Sequence, residues 1–259
     1  MAHKIYENFV LENKIEDLLT TGIDMNAYMT ADYSLTEQAG MKKVINVYTA
    51  TGNVEDLAMG VGNSGDIEVA FTPKEYTVGV TQGRFPYYDE QEMTDAMVVE
   101  TGLKGLADKM TNDLTAKAIA AMGETNLEVE CDWTFDSIVD AIAKMDSESE
   151  DGLFMLINPA EKATIRKNLG QDLKYSEGFA RTGYIGSVCG VPVIVSKAVP
   201  ANTGFLATKD AVTCFVKKGT EIEQERDADT RKNSIFARKV MVVALTNGTK
   251  CVKLNGAQG

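Results

Sequence analysis

Side chains that move protons, attack carbonyls, hold metals or cradle phosphates are few in this chain, and poorly arranged for such work. His3 is the only histidine and stands at the start of the sequence. A Ser-His-Asp or Cys-His device therefore lacks its base. The four cysteines, Cys131, Cys189, Cys214 and Cys251, are far apart and form no C-x-x-C. That spacing supports no zinc site and reads as reduced structural thiols. Gly60-Val61-Gly62-Asn63-Ser64-Gly65 matches G-x-G-x-x-G. A dinucleotide site needs a helix N-terminus after that loop, so that amides and dipole meet the pyrophosphate. Asp66 to Phe71 alternates like a strand instead, so the spacing predicts a hairpin loop. The acidic run Asp146–Asp151 lacks the glycine and closing glutamate of a calcium loop. Among 38 acidic residues no carboxylate pair is set apart. The residues therefore nominate no catalytic group, no metal and no cofactor, and the expectation is a protein that is not an enzyme.

The bulk properties narrow the partners. The chain has 259 residues, enough for a sizeable core, and a net charge of −12. That balance argues against a protein whose main task is gripping nucleic acid, which needs clustered Lys and Arg. The cluster Arg231, Lys232, Arg238, Lys239 is too small for that and reads as a solvated or subunit-facing charge patch. The longest unbroken apolar run, Val240 to Leu245, is far short of a membrane span. The first residues carry no basic flank leading into an apolar core, so the expectation is a soluble product made in the cytoplasm with no membrane partner.

The element that would organise the chain runs from Asp89 to Met122. Asp89 followed by Glu92 suggests a capped helix start. Met93, Met97, Leu103, Leu106, Met110, Leu114, Ile119 and Met122 then recur at mostly three- and four-residue steps, giving one apolar stripe. Gly123 ends it. Such a helix would be roughly 50 Å long. Gly102 and Gly105 weaken it and mark a bend or a close approach.

Before it, residues 1–40 read as a docking arm with a short helix around Leu11, Ile15, Leu18 and Leu19. Lys42 to Arg84 reads as a long two-stranded hairpin leading directly into the helix. A hairpin with no third strand is marginal alone and needs a covering surface. After the helix comes a compact α/β section. Thr134 opens a helix, Leu153–Ile157 is a short strand, and Asn158-Pro159-Ala160-Glu161 starts another helix. Val188–Val195, Phe205–Ala207 and Val212–Val216 follow as strands. Thr220–Arg226 and Ile235–Leu245 are β again, with Glu221, Glu223 and Glu225 able to oppose Arg238 and Lys239. Asn247-Gly248 predicts a tight hairpin into Lys250–Leu254.

Arg181-Thr182-Gly183-Tyr184-Ile185-Gly186-Ser187-Val188-Cys189-Gly190-Val191-Pro192-Val193-Ile194-Val195-Ser196 resembles a stretch common in major capsid proteins of tailed bacteriophages with the HK97 fold. The order of arm, extended hairpin, long helix and returning strands resembles that family over nearly the whole chain. The resemblance implies an α+β, HK97-like fold. Residues 1–40 would be the N-terminal arm and 41–85 the extended loop. Residues 86–132 and 219–248 would form the peripheral domain, and 133–218 and 249–259 the axial domain. It also implies a shell subunit that assembles with copies of itself as pentamers and hexamers, enclosing double-stranded DNA without specific binding. A separate scaffolding protein and a portal would be further partners, with assembly in the bacterial host cytoplasm and final location in the virion. An encapsulin-type compartment shell is the alternative with the same fold. On this reading the candidate inter-subunit contacts are Tyr48, Asp56, Ile67, Val69, Phe71, Lys74, Arg231 and Lys232. Lys74 matches no cross-linking motif of the family.

Overall fold

A computed structural model describes residues 25–37, 39–57, 59–95, 97–146, 152–172 and 187–256. The helix expected around Leu11, most of the acidic loop at 147–151 and the first part of the capsid-like motif at 181–186 lie outside the described residues.

Two sheets and a projecting ribbon make the fold. The first sheet has four strands: β1 (Thr30–Asp32), β10 (Val212–Asp227), β11 (Lys232–Leu245) and β4 (Gly79–Tyr88), in that spatial order. The short β1 runs parallel to β10, and the other pairings are antiparallel. A 25-residue helix, α2 (Val98–Met122), lies on one face. Alternate strand residues meet it: Phe85 and Tyr87 from β4, Ile235 and Ala237 from β11, and Ile222 from β10. They pack against Val99, Leu103, Leu106, Ala107 and Met110, which are one helical stripe.

The second sheet has six strands in the order β5 (Glu128–Cys131), β12 (Cys251–Gly256), β9 (Thr203–Thr208), β6 (Leu153–Ile157), β8 (Val191–Val195) and β7 (Ser187–Val188). All five residues of β6 are buried, as a central strand covered on both faces requires. Two helices accompany this sheet, α3 (Phe135–Lys144) and α4 (Pro159–Asp172). Both start on the expected signals. Ser137 N–H donates to Thr134 Oγ1, capping α3. Ala160 N–H donates to Asn158 Oδ1 at 3.0 Å, and Asn158 Nδ2 donates to Val199 O at 2.7 Å. Glu161 is buried in the same turn and accepts from Asn202 N–H at 2.6 Å. One cluster joins the sheets, with Met122 of α2, Leu156, Phe205 and Cys251 meeting Val212, Cys214 and Met241.

Several sequence expectations change here. The helix read from Asp89 to Met122 is two helices, α1 (Asp89–Thr94) and α2, separated at Asp95, whose backbone is extended. Asp95 Oδ1 accepts from Met97 N–H at 2.9 Å, so a side-chain turn replaces the helical ladder. Gly102 and Gly105 lie inside α2 and do not interrupt it. Gly102 is instead the point where Phe85 presses closest, since a Cβ there would be 2.1 Å from the ring's Cζ. Gly83 meets Leu106 in the same way, at 2.3 Å. The hairpin read over 41–85 stops at Thr77, because the next strand, β4, buries Tyr87 beneath α2 and pairs with β11.

Strands read separately as Val212–Val216 and Thr220–Arg226 are one strand, β10, with register shifts between Val216 and Glu221. Such irregularities bend a strand without ending it. Asn247-Gly248 does not close a hairpin: Gly248–Lys250 is a 3-10 turn that passes the chain from β11 in one sheet to β12 in the other. The latter part of the expected arm is not a free docking segment either. Met25, Met29 and Leu35 are buried in the chain's own core.

Candidate inter-subunit surface

β2 (Lys42–Thr51) and β3 (Glu68–Thr77) pair only with each other, in ten consecutive antiparallel steps from Lys42↔Thr77 to Thr51↔Glu68. At 3.4 Å per residue the ribbon is about 34 Å long. Among the described residues, the ribbon's contacts with the body gather at its base. Tyr76 stacks on Phe215 with ring centroids 5.7 Å apart, and its hydroxyl donates to Leu245 O at 3.2 Å. Lys43 Nζ lies over the Phe215 ring and pairs with Asp32 at 3.5 Å. Ile45 packs on the same small cluster.

Beyond that base the ribbon carries apolar side chains into solvent. Val69 is 62% exposed and Phe71 63% exposed. The register puts both on one face with Val44, which is also exposed. Ile67 precedes β3 and is exposed, and the connecting loop exposes Val54, Leu57, Met59 and Val61. That loop contains the G-x-G-x-x-G run, and it leads into β3 rather than a helix. Ser64 N–H and Oγ–H both donate to the Glu55 carboxylate, holding its pKa below the usual range. The loop therefore has internal structure despite its exposed apolar residues. A lone two-stranded ribbon is marginal in water, and a contiguous exposed apolar surface marks an interaction site.

The candidate residues do not form one patch. Tyr48 is the register partner of Phe71. Asp56 is exposed in the loop. Lys74 is exposed opposite Ile45, on the ribbon face away from Phe71. Arg231 and Lys232 stand apart, at the turn between β10 and β11. Arg231 has a left-handed backbone, φ 54°, and pairs with Glu90 of α1 at 2.9 Å. Next to it, Arg226 pairs with Asp89 at 2.8 Å, and Asn233 Nδ2 donates to the other oxygen of Asp89 at 2.6 Å. These contacts hold the start of α1 to the sheet.

A second exposed apolar patch was not legible in the stripe pattern. The apolar stripe includes Met93 and Met97, yet they are 72% and 57% exposed. The break at Asp95 rotates α1 off the face that α2 buries, and α1 has no buried residue. The outer face of the four-stranded sheet is apolar at the ribbon base, where Phe215, Val240 and Ala244 are buried, and carries charge beyond it. Arg238 bridges Glu221 and Glu223, each at 2.7 Å, as the cross-strand charge pattern suggested. Among the described residues no group of three or more His, Cys, Asp or Glu side chains is placed to hold a metal. Cys131, Cys214 and Cys251 are buried free thiols, and burial pushes Cys251 up to about 12, far from a reactive thiolate.

Comparison with known proteins agrees with this architecture. The family model described as "Phage capsid protein" matches residues 71–254. A major capsid protein of Staphylococcus phage phiMR11 is 26% identical over 158 residues, covering 59% of this chain. The chain thus spans little more than half of that relative, 56% of its length. A solved structure from Microbacterium phage Oxtober96 superposes with a TM-score of 0.72 at 9% identity, covering 99% of this chain and 94% of the other. The virus-like particle of Pyrococcus furiosus gives 0.68 at 11% identity, covering 97% and 100%. With the ribbon, the long helix on its four-stranded sheet and the separate six-stranded sheet, the chain has the HK97-like capsid fold and belongs to the phage capsid protein family.

Proposed function

We propose that this chain is the shell subunit of a tailed phage, assembling as pentamers and hexamers that close into an icosahedral capsid around double-stranded DNA. The observation that carries the reading is the ribbon: ten paired residues per strand leave the body and expose Val44, Val69 and Phe71 on one face. In a shell those side chains lie on a neighbouring copy, which supplies the covering surface that this chain lacks. Tyr48, Asp56, Ile67 and Lys74 belong to the same contact region, and Arg231 and Lys232 to a second one. The peripheral domain is the four-stranded sheet with α1 and α2, and the axial domain is the six-stranded sheet with α3 and α4. A separate scaffolding protein and a portal complete the assembly, which takes place in the host cytoplasm and ends in the virion. The net charge of −12 suits a wall that encloses DNA without adhering to it.

The test is the double substitution Val69→Asp and Phe71→Asp. Both sites are solvent-exposed in the single chain, so the subunit should fold with an unchanged unfolding midpoint. Electron microscopy, with scaffold present, should show shells from the parent chain and none from the variant. Shells of normal size and stability from the variant would remove the ribbon from the assembly contact. A second reading, an encapsulin-type shell that encloses cargo other than DNA, uses the same fold as the particle of Pyrococcus furiosus. Nuclease-resistant DNA inside native particles separates the two.

A further inference from the structure

Beneath α2 there is a small cavity that shell assembly does not call on. Its volume is about 50 Å³, and Asn26, Thr81, Met110, Thr111, Lys239 and Met241 are among its lining residues. Thr81 and Lys239 are directly opposed across β4 and β11, on the sheet face toward α2. Lys239 is half-buried and makes no hydrogen bond or ion pair among the described residues. A second cation stands beside it. Lys117 of α2 donates to Thr81 Oγ1 and pairs with Asp113 at 2.6 Å. Asp113 is thus engaged by Lys117, and no carboxylate among the described residues lies within ion-pair distance of Lys239. Both lysines also act on the buried Cys214 thiol: its burial raises the pKa, and Lys239, then Lys117, pull it back.

An ammonium that lines a cavity without a carboxylate partner is free to take an anion as its ligand. The cavity supplies the remaining parts of a site. Thr81 Oγ1 accepts from Lys117, so its own proton can point into the space. Met110, Leu114 and Met241 form apolar walls, which strengthen any charge interaction inside. The space is too small for a nucleotide and admits one tetrahedral ion. We propose that this cavity binds a small inorganic oxyanion of the phosphate class, held by Lys239 and by the Thr81 hydroxyl that Lys117 polarises. The bound ion ties β4, β11, α2 and the segment at Met25 and Asn26 together. The proposal does not depend on the shell reading.

The experiment uses the full chain, unassembled, in phosphate-free buffer at constant ionic strength set with chloride. Inorganic phosphate is titrated while thermal unfolding and the phosphorus NMR linewidth are followed. The expected result is a saturable rise in Tm, roughly 5–10 °C at a phosphate concentration about 100 times Kd. Line broadening should saturate at one ion per chain. Lys239→Met should abolish both effects, Lys239→Arg should retain part of them, and Lys104→Met, at an exposed position of α2, should leave them unchanged. If Lys239→Met fails to fold, Thr81→Val, which removes one donor, should weaken binding at least several-fold. No saturable broadening with the parent chain, or the same Tm rise in parent and Lys239→Met, would overturn the proposal.

Discussion

Two glycines three positions apart on α2 give opposite expectations for the same substitution. Ala is favoured over Gly inside a helix by about 1 kcal/mol. At Gly105 an added Cβ would meet nothing within 4 Å. Gly105→Ala should therefore stabilise the chain by about 1 kcal/mol, raising Tm by roughly 2–4 °C at this chain length. At Gly102 the same Cβ would lie 2.1 Å from Phe85 Cζ and 2.4 Å from both Cε atoms. That ring stacks on Tyr87 with centroids 5.7 Å apart at 19°, and Tyr87 is buried under the helix. The ring cannot move aside without disturbing the core. Overpacking of this kind costs about 1–3 kcal/mol. Set against the helix-propensity gain, Gly102→Ala should be neutral to destabilising by about 2 kcal/mol. The two variants should thus differ by about 1–3 kcal/mol. The assay is urea or thermal unfolding of the unassembled subunit, because assembly would add its own stabilisation by mass action. Adding Phe85→Leu shortens the obstructing side chain and should recover part of the helix gain at position 102. Equal stabilisation by Gly102→Ala and Gly105→Ala would refute the claim that Gly102 exists for close approach of the sheet.

Other perturbations address the rest of the body. Leu156 is fully buried in the cluster joining the two sheets, so Leu156→Ala should cost about 2–5 kcal/mol in urea unfolding. The Thr125 hydroxyl is buried, donates to Cys251 O at 2.6 Å and accepts from Leu127 N–H at 3.2 Å. Thr125→Val leaves those groups unsatisfied and should cost about 1–3 kcal/mol, with Thr125→Ser recovering much of it. Hydrogen bonds from Lys218 and Arg238 hold the Glu221 carboxyl below its ordinary pKa. Its folded-state value lies below the unfolded one, so its stabilisation is present at neutral pH and lost as pH falls through the lowered value. Glu221→Gln should flatten that acid limb of the stability curve, by an amount that shrinks in high salt because the group is only half-buried.

Local signals were read well from the sequence and non-local ones were not. Asn158-Pro159 starts α4 and Thr134 caps α3 because a cap involves residues two or three positions apart. Leu153–Ile157 is a central strand because a short unbroken apolar run suits burial on both faces. The apolar stripe, by contrast, ran through Met93 and Met97 without revealing the break at Asp95, since periodicity does not register one side-chain turn. Asn247-Gly248 carries strong hairpin chemistry, yet β11 and β12 each have partners elsewhere that bury more. In the candidate contact region, Val69 and Phe71 were nameable from alternation alone. Arg231 was not placeable, because its neighbour Glu90 is distant in sequence and close only across the sheet.

Residue types and their order along the chain suffice for the order of arm, ribbon, helix and returning strands, for the lack of a histidine-based or C-x-x-C device, and for the resemblance of the Gly183–Ser196 stretch to capsid proteins. Those features depend on residue identity and short spacing. Long-range packing instead sends β4 from the ribbon to the sheet under α2, buries Met25 and Met29 in the core, and brings Phe85 against Gly102. Each of those outcomes depends on which apolar faces bury one another across long stretches of chain. The same holds for Lys239 and Thr81, which are far apart in sequence and become neighbours only when β4 and β11 pair.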